Sequence, residues 1–315
     1  MPASAFHPIG SVPRAQLGSL FDEEASMWAR DLSWNFAPTR KRLESALQNG
    51  TLNGLVASDD LGVCAYATYA LDGDHGVVGS FFASVRARAR GIEGFLVQRI
   101  LNLLLAHHTR VIDCQTLFSS EPELREPFSA MGFDSATRLY MVIDRSAWLA
   151  ARKEGAPGVR SRPTHRADIR AVARLVYEAH LETRTLDASS SFDTPDSCEG
   201  ILRQILLDHV CGPFDSASSR RIEGNGQLLA VSLLTWPLPE VAHISEVATA
   251  PSRRREGLAR QCLMESLHGA FERGGASSAT LSVTASNRAA LALYESVGFV
   301  QRIRYGSHVL RGAPQ

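Results

Sequence analysis

The feature that most restricts the fold of this chain is an internal repeat. Arg88-x-x-Gly91 recurs as Arg254-x-x-Gly257, and Gly132-Phe133 recurs as Gly298-Phe299. Both pairs share one spacing, 257 − 91 = 166 and 298 − 132 = 166, and Arg138 and Arg304 differ by the same amount. A Gly-Phe dipeptide arises easily by chance. Three features held in one register do not, and self-similarity at a fixed period marks a duplicated architecture. At 315 residues the chain has room for two domains, each with a core of ordinary size.

The order of elements repeats as well. In the first half Leu52–Ser58, Gly62–Leu71 and Val77–Val85 alternate like strands. They are followed by an amphipathic helix over Gly91–His107, a strand over Val111–Leu117, a helix over Glu123–Met131 and a strand over Arg138–Ile143. Residues 146–158 include Gly-Ala-Pro-Gly and read as a linker. The pattern then restarts with a strand at Val159–Pro163, a helix capped by Thr164 and running to Glu182, and a helix opened by Thr194-Pro195. Strands at Leu228–Thr235 and Ala279–Thr284 flank the next motif. The expected division is 1–145, 146–158 and 159–315, and the expected class is α/β of the α+β kind.

In the second half, His243–Arg260 reads as a strand, a turn broken by Pro251 and the start of a helix. A helix start offers backbone N–H groups with no intrahelical partner and a partial positive charge. Small residues at Gly257 and Ala259 let an anion approach those groups, and the arginines add charge, which makes a phosphate cradle. Ordinary strand-turn-helix punctuation gives the same local pattern. The alternatives separate downstream, where Asn287-x-x-Ala290-x-x-x-Tyr294-x-x-x-Gly298-Phe299 follows the next strand.

With both motifs in order, residues 243–299 resemble the core of the GNAT N-acyltransferase superfamily. The resemblance implies two tandem GNAT-like domains, each a mixed, mostly antiparallel sheet flanked by helices. It implies acetyl-CoA as co-substrate, with Arg254, Arg255, Glu256, Gly257, Leu258, Ala259 and Arg260 around the pyrophosphate. Val247, Ala248 and Thr249 would take the pantetheine arm, with the Val247 N–H as an oxyanion donor, and Asn287 and Ala290 would contact the cofactor from the second motif. Tyr294 would be the general acid for the departing thiolate, and a core aromatic is its alternative. Glu246 would deprotonate the amine, unless it is an edge residue or a substrate anchor, with His243 or water in reserve.

Subtracting 166 places Phe128 opposite Tyr294, Ser80 opposite Glu246, Glu93 opposite Ala259 and Glu121 opposite Asn287. Every position the chemistry needs is altered, so the first half is expected to be a degenerate copy that holds no cofactor.

A formal net charge of zero calls for neither nucleic acid nor an anionic membrane, and no apolar run approaches membrane-spanning length. Five scattered cysteines without a Cys-x-x-Cys argue for free thiols, no metal site and a reducing compartment, with the cytoplasm as the default. The expected reaction is transfer of acetyl to the primary amine of a small molecule or amino acid derivative. Asp187, Asp193, Asp196 and Glu199, with Trp236 nearby, suit a cationic acceptor. The alternatives are acetylation of a cysteinyl amine, by analogy with tandem mycothiol synthases, and a non-catalytic acyl-CoA sensor. The sequence does not fix an oligomeric state.

Overall fold

A computed structural model of the chain describes residues 5–119, 121–151, 161–182 and 188–312. The chain forms two compact units, residues 1–138 with 304–315, and residues 139–303. This partition differs from a division at 145 and 159. The start of strand β6 (Asp134–Asp144) belongs to the first unit and its end to the second, while β12 (Val300–Arg311) starts in the second and finishes in the first.

In the first unit the sheet runs β1 (Ala5–Pro8), β2 (Asn53–Asp59), β3 (Gly62–Asp72), β4 (His75–Ala83), β5 (Val111–Thr116) and then β12. All these pairings are antiparallel except β4 with β5. Helices α1 (Ala15–Met27), α2 (Ala37–Gln48), α3 (Val85–Ala89), α4 (Ile92–Ala106) and α5 (Glu121–Ala130) complete it. Leu96, Ile100, Leu101 and Leu104 recur at helical spacing on α4, and all are buried in one cluster with Cys64, Ile112 and Phe128. Fully burying such a side chain stabilises by roughly 1.5–3 kcal/mol, so this stripe fixes how the helix docks. A second cluster joins Leu17, Leu20 and Phe21 of α1 to Tyr66 and Phe82.

In the second unit the order is β6, β11 (Ser278–Thr284), β10 (Val241–Thr249), β9 (Gln227–Leu238), β8 (Arg220–Gly224) and β7 (Arg162–Pro163). Again one of the registered pairs is parallel, β10 with β11. Helices α6 (Arg145–Ala151), α7 (Ile169–His180), α8 (Pro195–Leu206), α9 (Leu258–His268) and α10 (Arg288–Val297) pack on it. Each unit is thus a mixed, mostly antiparallel sheet with helices, as expected.

Several local expectations change. The first part of the expected linker is helix α6, because Trp148 is buried against Phe271 at a ring separation of 5.2 Å. Residues 152–160 lie outside the described residues. Thr164 does not cap α7. Its hydroxyl is buried without a hydrogen-bond partner among the described residues, and the helix is entered through a turn in which Asp168 accepts the His165 N–H. Thr194 does cap α8, accepting the Ser197 N–H at 3.0 Å.

Candidate active site

Strands β10 and β11 pair over Val241–Ile244 and Ser278–Leu281 and then stop pairing, although they continue to Thr249 and Thr284. On its other side β10 stays registered with β9 from Val241 to Thr249, through two irregularities, at Val241–His243 and at Ile244–Glu246. Bulges of this kind bend a strand and increase its twist. The strands therefore part into a wedge beyond Ile244. Ala250 donates to Leu229 on β9, and alternation along the strand turns the peptide groups of Val247 and Thr249 the opposite way, into the wedge. The Thr249 hydroxyl is buried with no partner among the described residues.

Beyond the wedge, a turn at Pro251–Arg253 leads to Gly257, which precedes α9 with φ 80° and gives it no side-chain cap. A Cβ at Gly257 would meet nothing within 4 Å, so the space over the helix start is open. Arg255 is also left-handed, with φ 65°. Open space, left-handed backbone and uncapped N–H groups fit an anion.

The arginines divide their work. The Arg254 guanidinium is held by the end of α7, at 2.5 Å from Glu182 and 2.7 Å from the Ala179 carbonyl oxygen, and Arg253 is bidentate to Glu256 at 2.7 Å. Arg254 thus ties the cradle to α7, and Glu256 is occupied by Arg253. Arg255 and Arg260 have no carboxylate partner among the described residues. Leu258 is buried against Cys262 and Ala230, and Ala259 is half-buried on the first turn of α9.

Helix α10 is capped by Asn287, whose Oδ1 accepts the Ala290 N–H at 3.1 Å. Both groups are therefore partly spent on the helix itself. Seven residues on, Tyr294 is 8% exposed in a cluster with Leu291, Val297 and Phe299, and Val247 packs against the same cluster.

Strand alternation turns Glu246 to the opposite face, where Ala248 joins the α7 and α8 cluster. The Glu246 carboxylate accepts the N–H of Val247 at 3.0 Å and lies 3.7 Å from His180 Nε2. The Val247 N–H expected to serve an oxyanion is thus already engaged. His180 was not among the sequence candidates. It is the last residue of α7, and only the fold carries it to β10.

His243 is not a usable base. Its side chain is buried between β10 and β11 with Nδ1 2.9 Å from the Thr280 hydroxyl, and burial pulls its pKa down to about 3. The acidic segment also differs from expectation. Glu199 pairs with Arg203 at 2.6 Å, Asp196 lies in the first turn of α8, and Asp187 lies outside the described residues. The Trp236 Nε1 donates to Asp215 at 3.1 Å, and its ring packs on Gly274. Among the described residues no His, Cys, Asp and Glu group could hold a metal ion, and no helix is long and apolar enough to cross a membrane.

The first unit has the same frame. β4 and β5 pair over His75–Val78 and stop, and 244 − 78 = 166 again. Gly91 precedes α4 with φ 68°. Gly91, like Gly257, gives no side-chain cap and leaves open space around a Cβ, and the difference lies in the side chains beside it. Arg88 donates to the Phe118 carbonyl and to Met27 Sδ, and Glu93, 3% exposed, accepts the Ser119 hydroxyl at 2.6 Å.

The acetyltransferase (GNAT) family profile matches residues 185–299. Over 75 residues, 24% of this chain and 49% of the relative, the sequence is 41% identical to the [ribosomal protein bS18]-alanine N-acetyltransferase of Escherichia coli (strain K12). The chain spans about half the length of the curated relatives it matches. Two solved structures resemble it along its whole length. A tandem GNAT protein from the clavulanic acid biosynthesis pathway has a TM-score of 0.57 at 15% identity, covering 99% of this chain and 100% of that one. A GCN5-related N-acetyltransferase from Sphaerobacter thermophilus has a TM-score of 0.65 at 18% identity, covering 98% and 97%. At these identities the likeness is one of fold, and it takes in both units.

Proposed function

We propose that the second unit, whose residues 185–299 match the acetyltransferase (GNAT) family profile, transfers an acetyl group from acetyl-CoA to a primary amine. The observation that carries this reading is the parting of β10 from β11 after Ile244 and Leu281, beside the open, uncapped helix start at Gly257.

The residues present suit the co-substrate. The N–H groups of Leu258, Ala259 and Arg260, with Arg255 and Arg260, would hold its pyrophosphate, while Arg254 keeps the cradle docked on α7. Val247 and Thr249, whose hydroxyl has no partner among the described residues, would face the pantetheine amides, with Ala248 between them packed on the α7 and α8 side. When bound, acetyl-CoA supplies an activated thioester. The protein must then hold a proton for the leaving sulfur, strip one from the acceptor and exclude water. In this reading Tyr294 Oη holds the first proton, and Glu246, on the opposite face of the strand, receives the second.

The acceptor is a small-molecule primary amine in this reading. A second reading, the α-amine of a protein that begins with alanine, is favoured by the 41% identity to the alanine N-acetyltransferase. Assay of thiol release from acetyl-CoA against a panel of small amines and an alanine-initiated peptide tests both. Acetyl-CoA binding without turnover on any of them would support a sensor instead.

A further inference from the structure

Glu246 makes its protein contacts through one oxygen. Oε1 accepts the Val247 N–H and faces His180 Nε2, whereas Oε2 has no partner among the described residues and is not a buried atom. The carboxylate is therefore held by one edge and offers the other. Its side chain is 12% exposed and that of His180 is 18% exposed, so both stand at the mouth of the site rather than inside the core.

His180 is fixed in turn. It ends α7, and its ring lies flat on Phe192 at a centroid distance of 3.9 Å and an interplanar angle of 3°. A proton on this ring lies between the carbonyl end of a helix and a carboxylate, both of which attract positive charge. The neighbouring segments carry further ionisable groups, Cys198, Asp193 and Glu182. On α8 the Cys198 thiol is pushed up to about 12 by burial and by the Glu246 and Asp193 carboxylates, so it stays neutral. Asp193 precedes α8, and Glu182 is spent on Arg254.

We propose that His180 is a positioning residue for the acceptor, holding Glu246 Oε1 so that Oε2 takes the proton the acceptor ammonium must lose. The proposal rests on the acetyltransferase reading. In the step, one N–H bond of R–NH3⁺ breaks and its electron pair stays on nitrogen as the attacking lone pair. The proton bonds to Glu246 Oε2, leaving a neutral carboxyl. Without His180, the carboxylate keeps only the N–H of its own neighbour and loses the contact that orients it. The acceptor class follows, an amine that arrives protonated and presents its ammonium beside the Phe192 and His180 rings.

Two measurements on the full chain test this. The Cε1–H resonance of His180, assigned with His180→Gln, is followed through pH in the wild type and in Glu246→Gln. Loss of an opposite charge at this distance lowers the titration midpoint by about 0.5–1 pH unit, and an unchanged midpoint overturns the pairing. In kinetics, His180→Ala lowers kcat by about 10–100-fold, the scale of a misplaced catalytic group, with KM for acetyl-CoA unchanged. His180→Lys, which keeps a cation facing Glu246, regains part of the rate. Equal losses in both variants with a lowered melting temperature assign His180 to packing alone and overturn the proposal. A midpoint shift in a wild type that acetylates no amine retires the acetyltransferase reading, and the role of His180 with it.

Discussion

Phe299 donates its backbone N–H to the carbonyl oxygen of Tyr294 at 3.0 Å and sets its ring edge-on to the tyrosine at 6.0 Å. Phe133 does the same to Phe128, at 3.0 Å and 5.3 Å. The helix exit is preserved between the units, and the difference is one hydroxyl. In the first unit the Phe128 ring stacks flat on His308 at 3.7 Å and is buried in the α4 cluster. The two units share this frame and differ in the residue it holds.

Removing that hydroxyl from the second unit isolates its role. Tyr294→Phe keeps the ring that packs on Phe299 and removes only Oη. The expected result is a fall in kcat of about 10²–10⁴-fold, the range for general acid–base groups, with KM for acetyl-CoA nearly constant. Steady-state kinetics decides. An unaltered kcat would make Tyr294 a core aromatic.

At the cradle, Gly257→Glu and Gly257→Ala separate charge from backbone strain. Both must adopt the left-handed φ of 80°, and the space around a Cβ is open. The alanine variant should lose about 1–2 kcal/mol of stability and keep binding acetyl-CoA. The glutamate variant, equally folded, should show no binding by calorimetry, because its carboxylate meets the pyrophosphate. Normal binding by the glutamate variant would move the phosphates elsewhere.

One acetyl-CoA per chain is expected. In the first unit Arg88 donates to the Phe118 carbonyl, and Glu93 sets a buried carboxylate, with one oxygen on Ser119, in the first turn where a pyrophosphate would approach. Calorimetric titration measures the ratio. Two equivalents per chain would show that Phe118 and Ser119 swing away.

Two buried groups set opposing pH dependences. Glu24 accepts from Tyr66 at 2.6 Å and Trp28 at 3.2 Å, yet burial outweighs both bonds and raises its pKa to about 8. A carboxyl that holds its proton more tightly when folded stabilises fully below its ordinary 4.5, and that stability is lost as pH rises toward about 8. His243, lowered from 6.5 to about 3, contributes stability above 6.5 that is lost as pH falls toward 3. Urea midpoints measured against pH should flatten on the alkaline side in Glu24→Gln and on the acid side in His243→Gln. Each slope is at most about 1.4 kcal/mol per pH unit. A slope that survives its own substitution belongs to another group.

The readable parts of the sequence were those governed by local rules. Gly91 and Gly257 marked helix starts, Thr194-Pro195 marked the start of α8, and the 166-residue register carried the equivalence of β4 with β10. What stayed hidden depends on partners distant in the chain. Strand β8, Arg-Arg-Ile-Glu-Gly, has one buried apolar residue, Ile222, too few to show a period. Arg254 looks like a phosphate ligand until Glu182, 72 residues earlier, is seen to hold it. His180 and Glu246 meet only because α7 ends where β10 bends, and no spacing in the sequence encodes that.

Strand β12 gives the fold a temporal asymmetry. Its residues Gly306–Arg311 pair with Thr116–Val111 of β5 in the first unit, and the Thr116 hydroxyl bonds the Gly306 carbonyl across 190 residues of chain. On the ribosome, β5 is therefore made long before the strand that covers its edge. At about 5–20 residues per second, that edge waits roughly 10–40 s with unpaired peptide groups, a template for wrong partners. Nascent chains halted between residues 150 and 300 should thus lean on holding chaperones, and resist protease over residues 5–119 only once residue 311 has cleared the exit tunnel.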